Sequence, residues 1–188
     1  MPSLTQYDLE QIRGNFRDFA SFIETGTLWG ETIFQMEPLF DRLHTIEIKE
    51  DFYQSVKTRY SGNKINFLLG DSSEVFKTLL PTIDEPTIFF LDGHWSAGDT
   101  GKGKKDCPLI EELTTINEKF KNSGIIIIDD RRLFGMGPNK KNEICNWEDI
   151  SDINIVGCLK SRIKEIYCIP SSLHPEDRMI IHINSTSS

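Results

Sequence analysis

Short apolar segments alternate with segments of helical periodicity along most of the chain. Apolar residues three and four positions apart predict an N-terminal helix within residues 5–19, and a first apolar run (19–23) ends before Glu24. Predicted helices at 30–40, 50–60, 72–80 and 108–120 are followed by apolar runs at 43–48, 65–70, 87–92 and 124–129. Each run is short and rich in Ile or Phe, and most end at Gly, Asp or Glu. This pattern favours strands that are covered by helices on both faces.

This alternation predicts an α/β fold with a doubly wound, mostly parallel sheet. The end of the chain differs, because IKEIYCIP (163–170) and DRMIIHI (177–183) are separated by the turn-like SSLHPE. These two segments predict a C-terminal antiparallel hairpin. The segment SAGDTGKGKKD (96–106) is polar and rich in Gly and Lys, and it predicts a loop.

The chain length predicts one domain. With 188 residues, the chain can bury one substantial core but is too short for two typical domains. We expect a single domain over residues 1–188. Its parts are an N-terminal helix (1–19), a region that carries the strand-end motifs (20–132), and a C-terminal helix and hairpin (133–188).

Charge and cysteine spacing argue against several classes of protein. The formal net charge is -8 and the pI is about 5.0, which disfavours nonspecific binding to the phosphates of nucleic acids. The four cysteines include no C-x-x-C pair, so neither a zinc site nor a disulfide framework is indicated. The sequence has no signal-peptide pattern and no apolar run near the roughly 20 residues of a membrane-spanning helix. We therefore expect a cytoplasmic protein with reduced thiols.

Polar residues stand at the predicted strand ends, where an open α/β sheet binds its ligands. From the first strand to the fifth they are Glu24 with Gly26 and Gly30, Glu47, Asp71 with Ser72, Asp92 with His94, and Asp129 with Asp130. The first turn, ETGTLWG, is neither a G-x-G-x-x-G dinucleotide motif nor a phosphate-binding loop. Its glycines still allow a ligand to approach the backbone closely. Glu24, which precedes them, can accept from a cationic ligand.

The segment E-T-G-x-x-x-G, the acid in HTIEIKEDF and the segment LLGDSSEVF resemble the first three motifs of class I S-adenosylmethionine-dependent methyltransferases. The resemblance implies a Rossmann-like fold with seven strands and S-adenosylmethionine (SAM) as cofactor. It implies that the first motif, with Thr25, Gly26 and Gly30 beside Glu24, cradles the methionine part. Leu28 stands where the commonest form of this motif has a glycine. The small-molecule O-methyltransferases similar to catechol and macrocin O-methyltransferases also lack that glycine.

The second and third motifs imply contacts to the nucleoside part of SAM. Glu47 is expected to accept from the ribose hydroxyls, since one carboxylate can accept from two vicinal hydroxyls. Asp71 and Ser72 are expected beside adenine. Asp71-Ser72 is also a good start for a helix, so a purely structural role remains open. Glu24 and Glu47 could likewise be ordinary polar strand ends.

Two later segments, FFLDGHWS and IIIIDD, resemble the parts of the metal-dependent subgroup that supply magnesium ligands after strands four and five. The resemblance implies Mg²⁺ at Asp92, Asp129 and Asp130, and carboxylate oxygens are ligands that Mg²⁺ prefers. Asp92 is also expected near the cofactor. A metal there could orient and acidify an acceptor hydroxyl, with His94 or a water taking the proton. Arg131 or Arg132 could instead offset the adjacent charges of the aspartate pair.

These observations predict an enzyme, a magnesium-assisted O-methyltransferase for a small hydroxylated acceptor. The similarity to macrocin-type enzymes makes a sugar or sugar conjugate the first acceptor to consider. Lys102, Lys104 and Lys105 are either a solvated loop or contacts to a phosphorylated acceptor such as a nucleotide sugar. Neither nucleic acid nor a membrane is an expected partner, and a homo-oligomer is left open. The alternatives are a non-catalytic domain that binds SAM or another nucleoside, and a metal-dependent hydrolase or sugar-modifying enzyme.

Overall fold

The sheet is the frame of the molecule. The computed structural model describes residues 3–186, and in this range seven strands form one sheet in the order β3-β2-β1-β4-β5-β7-β6. The strands are β1 (Ser21–Thr25), β2 (Arg42–Glu47), β3 (Ile65–Leu69), β4 (Thr87–Leu91), β5 (Gly124–Ile128), β6 (Ile163–Ile169) and β7 (Arg178–Ile183). The first five strands are parallel, and β7 runs antiparallel to both β5 and β6. The predicted mostly parallel sheet and C-terminal hairpin are confirmed.

Helices cover both faces of the sheet, as the continuously apolar strands require. They are α1 (Gln6–Glu10), α2 (Glu31–Met36), α3 (Glu50–Arg59), α4 (Ser72–Leu79), α5 (Leu109–Lys119) and α6 (Asp152–Leu159). Alternate strand residues enter two separate apolar clusters: Ile23 packs with residues of α4, α5 and α6, whereas Phe22 packs with residues of α1 and α2. The strand-end residues therefore rest on a rigid support that is packed on both faces.

The N-terminal helix is shorter than the sequence pattern predicts. α1 ends at Glu10, and a 3₁₀ turn at Phe16–Asp18 follows it. Gly14, at a φ of +88°, breaks the helical path, and the Asn15 side chain accepts from the backbone N–H of Arg17 to start the 3₁₀ turn. The apolar spacing identified the buried residues correctly, but these residues are divided between a helix and a 3₁₀ turn.

The loop over residues 96–106 contains neither helix nor strand, as predicted. It crosses the end of β2, where a Cβ on Gly101 would lie 2.2 Å from the Ile48 side chain. The Lys49 ammonium holds the loop through the carbonyl oxygen of Asp99 at 2.6 Å and its carboxylate at 2.5 Å. The loop thus covers part of the carboxyl edge of the sheet. Within residues 3–186, no helix is long and apolar enough to cross a membrane.

Candidate functional site

A cleft lies at the carboxyl ends of β1 to β4. The residues that line it include the predicted site residues Gly26, Glu47, Asp71, Ser72, Asp92 and His94. Part of the opposite wall comes from the 96–106 loop, through Ser96, Thr100 and Gly101. The structure therefore brings most of the strand-end residues together.

The turn after β1 passes very close to the end of β4. Gly26 has a φ of +85°, and a Cβ there would lie 2.4 Å from the carbonyl oxygen of Asp92. Glycine is therefore required at this position by both backbone conformation and space. Gly30 has a φ of +76° and precedes α2, where a Cβ would meet Val56 at 2.6 Å. Leu28 adopts a φ of +47°, which is strained for a leucine.

Glu47 is buried and holds the turn in place. Its two carboxylate oxygens accept from the backbone N–H groups of Leu28 and Lys49, each at 2.8 Å. Each carboxylate oxygen can accept a second hydrogen bond. The carboxylate can therefore bind hydroxyl groups of a ligand while it fixes the strained turn at Leu28.

Asp71 and Ser72 have structural partners at the start of α4. Asp71 Oδ1 accepts from the backbone N–H of Ser73 at 3.0 Å and from its hydroxyl at 2.6 Å, which caps the helix. The Ser72 hydroxyl donates to the buried carboxyl group of Glu112 at 2.5 Å. Both residues line the cleft, so the structural role observed here and a ligand contact coexist.

A second cavity joins the cleft at Gly26, Leu28 and Asp92. It is also lined by Glu24, Glu31 and Ser3.

Glu24 accepts from the Thr45 hydroxyl at 2.7 Å. Burial, with the charges of Asp92 and Glu47, raises the pKa of Glu24 well above its ordinary value. A cationic ligand would stabilise the ionised form of Glu24 and so offset the effect of burial. Thr25 is fully buried in β1 and lies beside Gly93.

His94 stands between two aspartates. Its Nδ1 lies 3.4 Å from Asp92 Oδ1, and its Nε2 lies 3.3 Å from Asp130 Oδ2. Burial alone would lower the pKa of His94, but the interactions with Asp92, Asp130 and Asp129 outweigh it and raise the pKa. The three carboxylates therefore stabilise the imidazolium form of His94, which is the form that cannot accept a proton.

The two aspartates after β5 face different partners. Asp129 Oδ1 lies 3.4 Å from Nε of Arg178, and Asp130 Oδ1 lies 2.5 Å from Nη1 of Arg132. Burial, with the charge of Asp92, raises the pKa of both carboxyl groups. Arginine side chains thus supply positive charge to both aspartates. For Asp130 the arginine is Arg132, one of the two that the sequence offered as an alternative to a metal. Arg131 instead pairs with Asp152, at 2.8 Å.

Two sets of ligand atoms converge closely enough to hold a metal ion. Oxygen or nitrogen atoms of Asp92, His94 and Asp130 lie within 4.8 Å of one another, and so do those of Asp129, Asp130 and Asp177. Asp92 Oδ1 and Asp129 Oδ2 are buried and accept no hydrogen bond within residues 3–186. The predicted ligands are therefore divided between two sets that share Asp130.

Sequence reasoning did not identify three residues near the site. Glu112 is fully buried on α5, and burial raises its pKa to about 7. Arg178, the first residue of β7, is 1% exposed. The Trp147 ring packs against His94 at a tilt of 58°, with 4.7 Å between ring centroids. None follows an apolar run at the carboxyl end of a parallel strand, which was the signal used.

No protein-family model and no curated protein matches the sequence. Solved structures match across most of the chain. The O-methyltransferase TomG from Streptomyces achromogenes, in complex with SAM, aligns with 90% of this chain and 75% of its own, at 15% identity and a TM-score of 0.60. The N-methyltransferase NodS from Bradyrhizobium japonicum aligns with 90% of this chain and 87% of its own, at 10% identity and a TM-score of 0.56. The chain has the methyltransferase fold.

A third match shows how broad this fold is. An rRNA methylase from Streptococcus thermophilus aligns with 90% of this chain and 89% of its own, at 13% identity and a TM-score of 0.54. Proteins with the methyltransferase fold thus include O-, N- and rRNA methylases. Since proteins of one fold act on different substrates, the similarity concerns the arrangement of strands around the cleft.

Proposed function

We propose that this protein binds SAM in the cleft and transfers its methyl group to an oxygen of a small hydroxylated acceptor. The observation that carries the proposal is that Gly26, Glu47 and Asp92 lie together in the lining of the cleft. The turn at Gly26, held tightly against the end of β4, and the buried Glu47 carboxylate line the same cleft. The methyltransferase fold of proteins crystallised with SAM supports this proposal.

The residues of the cleft suit the two ends of the cofactor. Glu47 would bind the ribose hydroxyls, and Asp71 and Ser72 would lie beside the adenine. Glu24 would face the ammonium group of the amino-acid end in the second cavity, where Glu31 adds another carboxylate. SAM supplies an electrophilic methyl group on a positively charged sulfur.

The acidic cluster would act on the acceptor hydroxyl. Asp92 and Asp130 offer buried oxygens that fit a divalent cation, and such a cation acidifies a bound hydroxyl. Carboxylates suit Mg²⁺, whereas an imidazole ligand is more usual for transition metals such as Mn²⁺. We propose Mg²⁺ with Asp92, Asp129 and Asp130 as candidate ligands, and we keep His94 as the candidate base. His94 can act as base only in its neutral form, and a cation held by the neighbouring carboxylates would favour that form by offsetting their charge.

The charges around the cleft favour an acceptor without phosphate groups. Lys104 contacts Glu74 at 2.9 Å, Lys102 contacts Asp106 at 2.8 Å, and Lys105 pairs with Glu111. Each of these lysines thus already has a carboxylate partner. We therefore propose a neutral sugar or sugar conjugate as the acceptor class to test before nucleotide sugars.

Calorimetric titration tests the cofactor proposal directly. We expect SAM and S-adenosylhomocysteine to bind at micromolar concentration, and the absence of binding for both would refute the proposal. Asp92→Asn and Asp130→Asn should weaken Mn²⁺ binding, measured by electron paramagnetic resonance, while Asp84→Asn should not, because Asp84 is exposed. Unchanged Mn²⁺ binding in the first two variants would contradict the metal assignment.

A non-catalytic SAM-binding domain is the second candidate function. The ion pairs of Asp129 and Asp130 with arginines favour it, because they neutralise the acidic cluster without a metal. The two candidates differ in methyl transfer from radiolabelled SAM to a panel of sugars and catechols. Transfer with Mg²⁺ that is lost on chelation supports the enzyme, whereas binding without transfer to any acceptor supports the second candidate.

A further inference from the structure

The N-terminal residues 3–8, which we call the N-terminal strap, meet the second cavity at Ser3. The Ser3 side chain donates to Glu31 Oε2 at 2.7 Å, and Ser3 lines the cavity together with Glu24. The backbone N–H of Leu4 donates to the Thr32 hydroxyl at 3.2 Å, and Leu4 itself is fully buried. The strap therefore contributes Ser3 to the wall of this cavity and is anchored beside it by Leu4.

A buried arginine fastens the strap to the end of β5. Nη1 of Arg178 lies 2.8 Å from Oδ1 of Asp8, and Nη2 donates to the carbonyl oxygen of Ser3 at 3.3 Å. The same guanidinium group contacts Asp129 through Nε, at 3.4 Å. Arg178 therefore joins the acidic cluster to both ends of the strap.

The Asp8 carboxylate is oriented from its other side as well. Its Oδ2 accepts from the backbone N–H of Thr5 at 2.8 Å and from the Thr5 hydroxyl at 2.6 Å, in the capping box of α1. Oδ1 is thus left for Arg178. Since planar guanidinium groups bind in fixed directions, this arrangement sets the position of the strap and of Ser3.

The second cavity has carboxylates that can bind the ammonium of an amino-acid group. It contains the carboxylates of Glu24 and Glu31, and it opens into the cleft at Gly26 and Asp92. A nucleoside that carries an amino-acid group and contacts Glu47 would therefore extend this group toward Ser3. We infer that the N-terminal strap closes over the amino-acid end of the cofactor and that Arg178 is the residue that positions it. This inference rests on the proposed function.

Binding of two ligands distinguishes a role of the N-terminal strap at the amino-acid end from a general effect on the fold. S-adenosylhomocysteine has the amino-acid end, whereas methylthioadenosine lacks it. In Asp8→Asn we expect a five- to tenfold weaker affinity for S-adenosylhomocysteine, about the loss of one hydrogen bond. The affinity for methylthioadenosine should change by less than about twofold, since the nucleoside contacts remain.

Ser3→Ala should give the same selective loss without changing the buried ion pair. The double variant should bind no more weakly than the weaker of the two single variants, because Asp8 is proposed to act through Ser3. Ser151→Ala is the matched control: it removes the cap of α6, away from the strap, and should leave both affinities unchanged.

Calorimetric titration of the full chain with both ligands gives the decision. A selective loss for S-adenosylhomocysteine supports the inference. Equal losses for both ligands, or no loss for either, would overturn the role of the strap while the proposed function stands. If the unaltered protein binds neither ligand, the proposed function fails, and this inference fails with it.

Discussion

Replacing Glu47 by Gln tests the residue that connects the fold to the cleft. The carboxylate accepts from two backbone N–H groups, those of Leu28 and Lys49, both at 2.8 Å. An amide offers one oxygen, so one N–H group would face an NH₂ donor instead. An unsatisfied buried donor costs about 1–3 kcal/mol. At roughly 2–4 °C per kcal/mol for a chain of this size, thermal unfolding should shift down by about 2–12 °C.

The same substitution should weaken nucleoside binding. Loss of charge-assisted hydrogen bonds to ribose hydroxyls costs about 1.5–3 kcal/mol, which is roughly a 10- to 150-fold loss of affinity. Calorimetry with adenosine and with 2′,3′-dideoxyadenosine measures this contribution, because the dideoxy compound lacks the hydroxyls and should lose little. Glu118→Gln, at an exposed position of α5, is the control. Unchanged unfolding and unchanged adenosine affinity in Glu47→Gln would refute both roles of the carboxylate.

Three further predictions concern stability. Burial raises the pKa of Glu112 to about 7 in the folded chain, against about 4.3 when unfolded, so the fold favours its protonated form. The stability that Glu112 contributes is fully present below the unfolded pKa, and it falls by up to about 3–4 kcal/mol as the pH rises to 7 and above. The free energy of unfolding of Glu112→Gln, measured with denaturant, should therefore fall less between pH 5 and pH 8 than that of the unaltered protein. Gly26→Ala should destabilise more than Gly14→Ala, since both have positive φ but nothing lies within 4 Å of a Cβ at Gly14; equal denaturant midpoints would contradict the close contact. Lys104→Ala should leave the unfolding temperature unchanged, because its ion pair with Glu74 is exposed and screened. A large decrease in the unfolding temperature, measured by calorimetry, would show that this ion pair stabilises the fold.

The sequence pattern was sufficient for the sheet because each strand is an isolated apolar run between polar residues. Glu47 and Asp92 were recognisable for the same reason: each directly follows such a run. The N-terminal helix was overextended because an apolar spacing of three and four reports a buried face and does not report backbone continuity. Gly14 was the available signal for the break.

The electrostatic partners of the site could not be predicted in the same way. Arg178 begins a strand that follows β5 by about fifty positions in the sequence, and only the pairing of β5 with β7 brings it beside Asp129. Arg131 directly follows the aspartate pair in sequence, yet its side chain reaches Asp152 instead. The choice among arginines depends on side-chain direction at a turn where Asp130 has a φ of +59°. Local sequence does not encode that direction.

The antiparallel direction of β7 has a consequence for synthesis of the chain. A strand that runs against its neighbours brings its first residue, rather than its last, to the acidic edge, and this first residue is Arg178. A nascent chain that has completed β1 to β5 and the following turn would already contain Asp130 and its partner Arg132, but Asp129 would still lack Arg178. Asp129 therefore acquires its arginine partner only when β7 pairs with β5. Termination before residue 178 would also remove the strand that holds β6 in the sheet, so a five-stranded sheet without Arg178 beside Asp129 would remain.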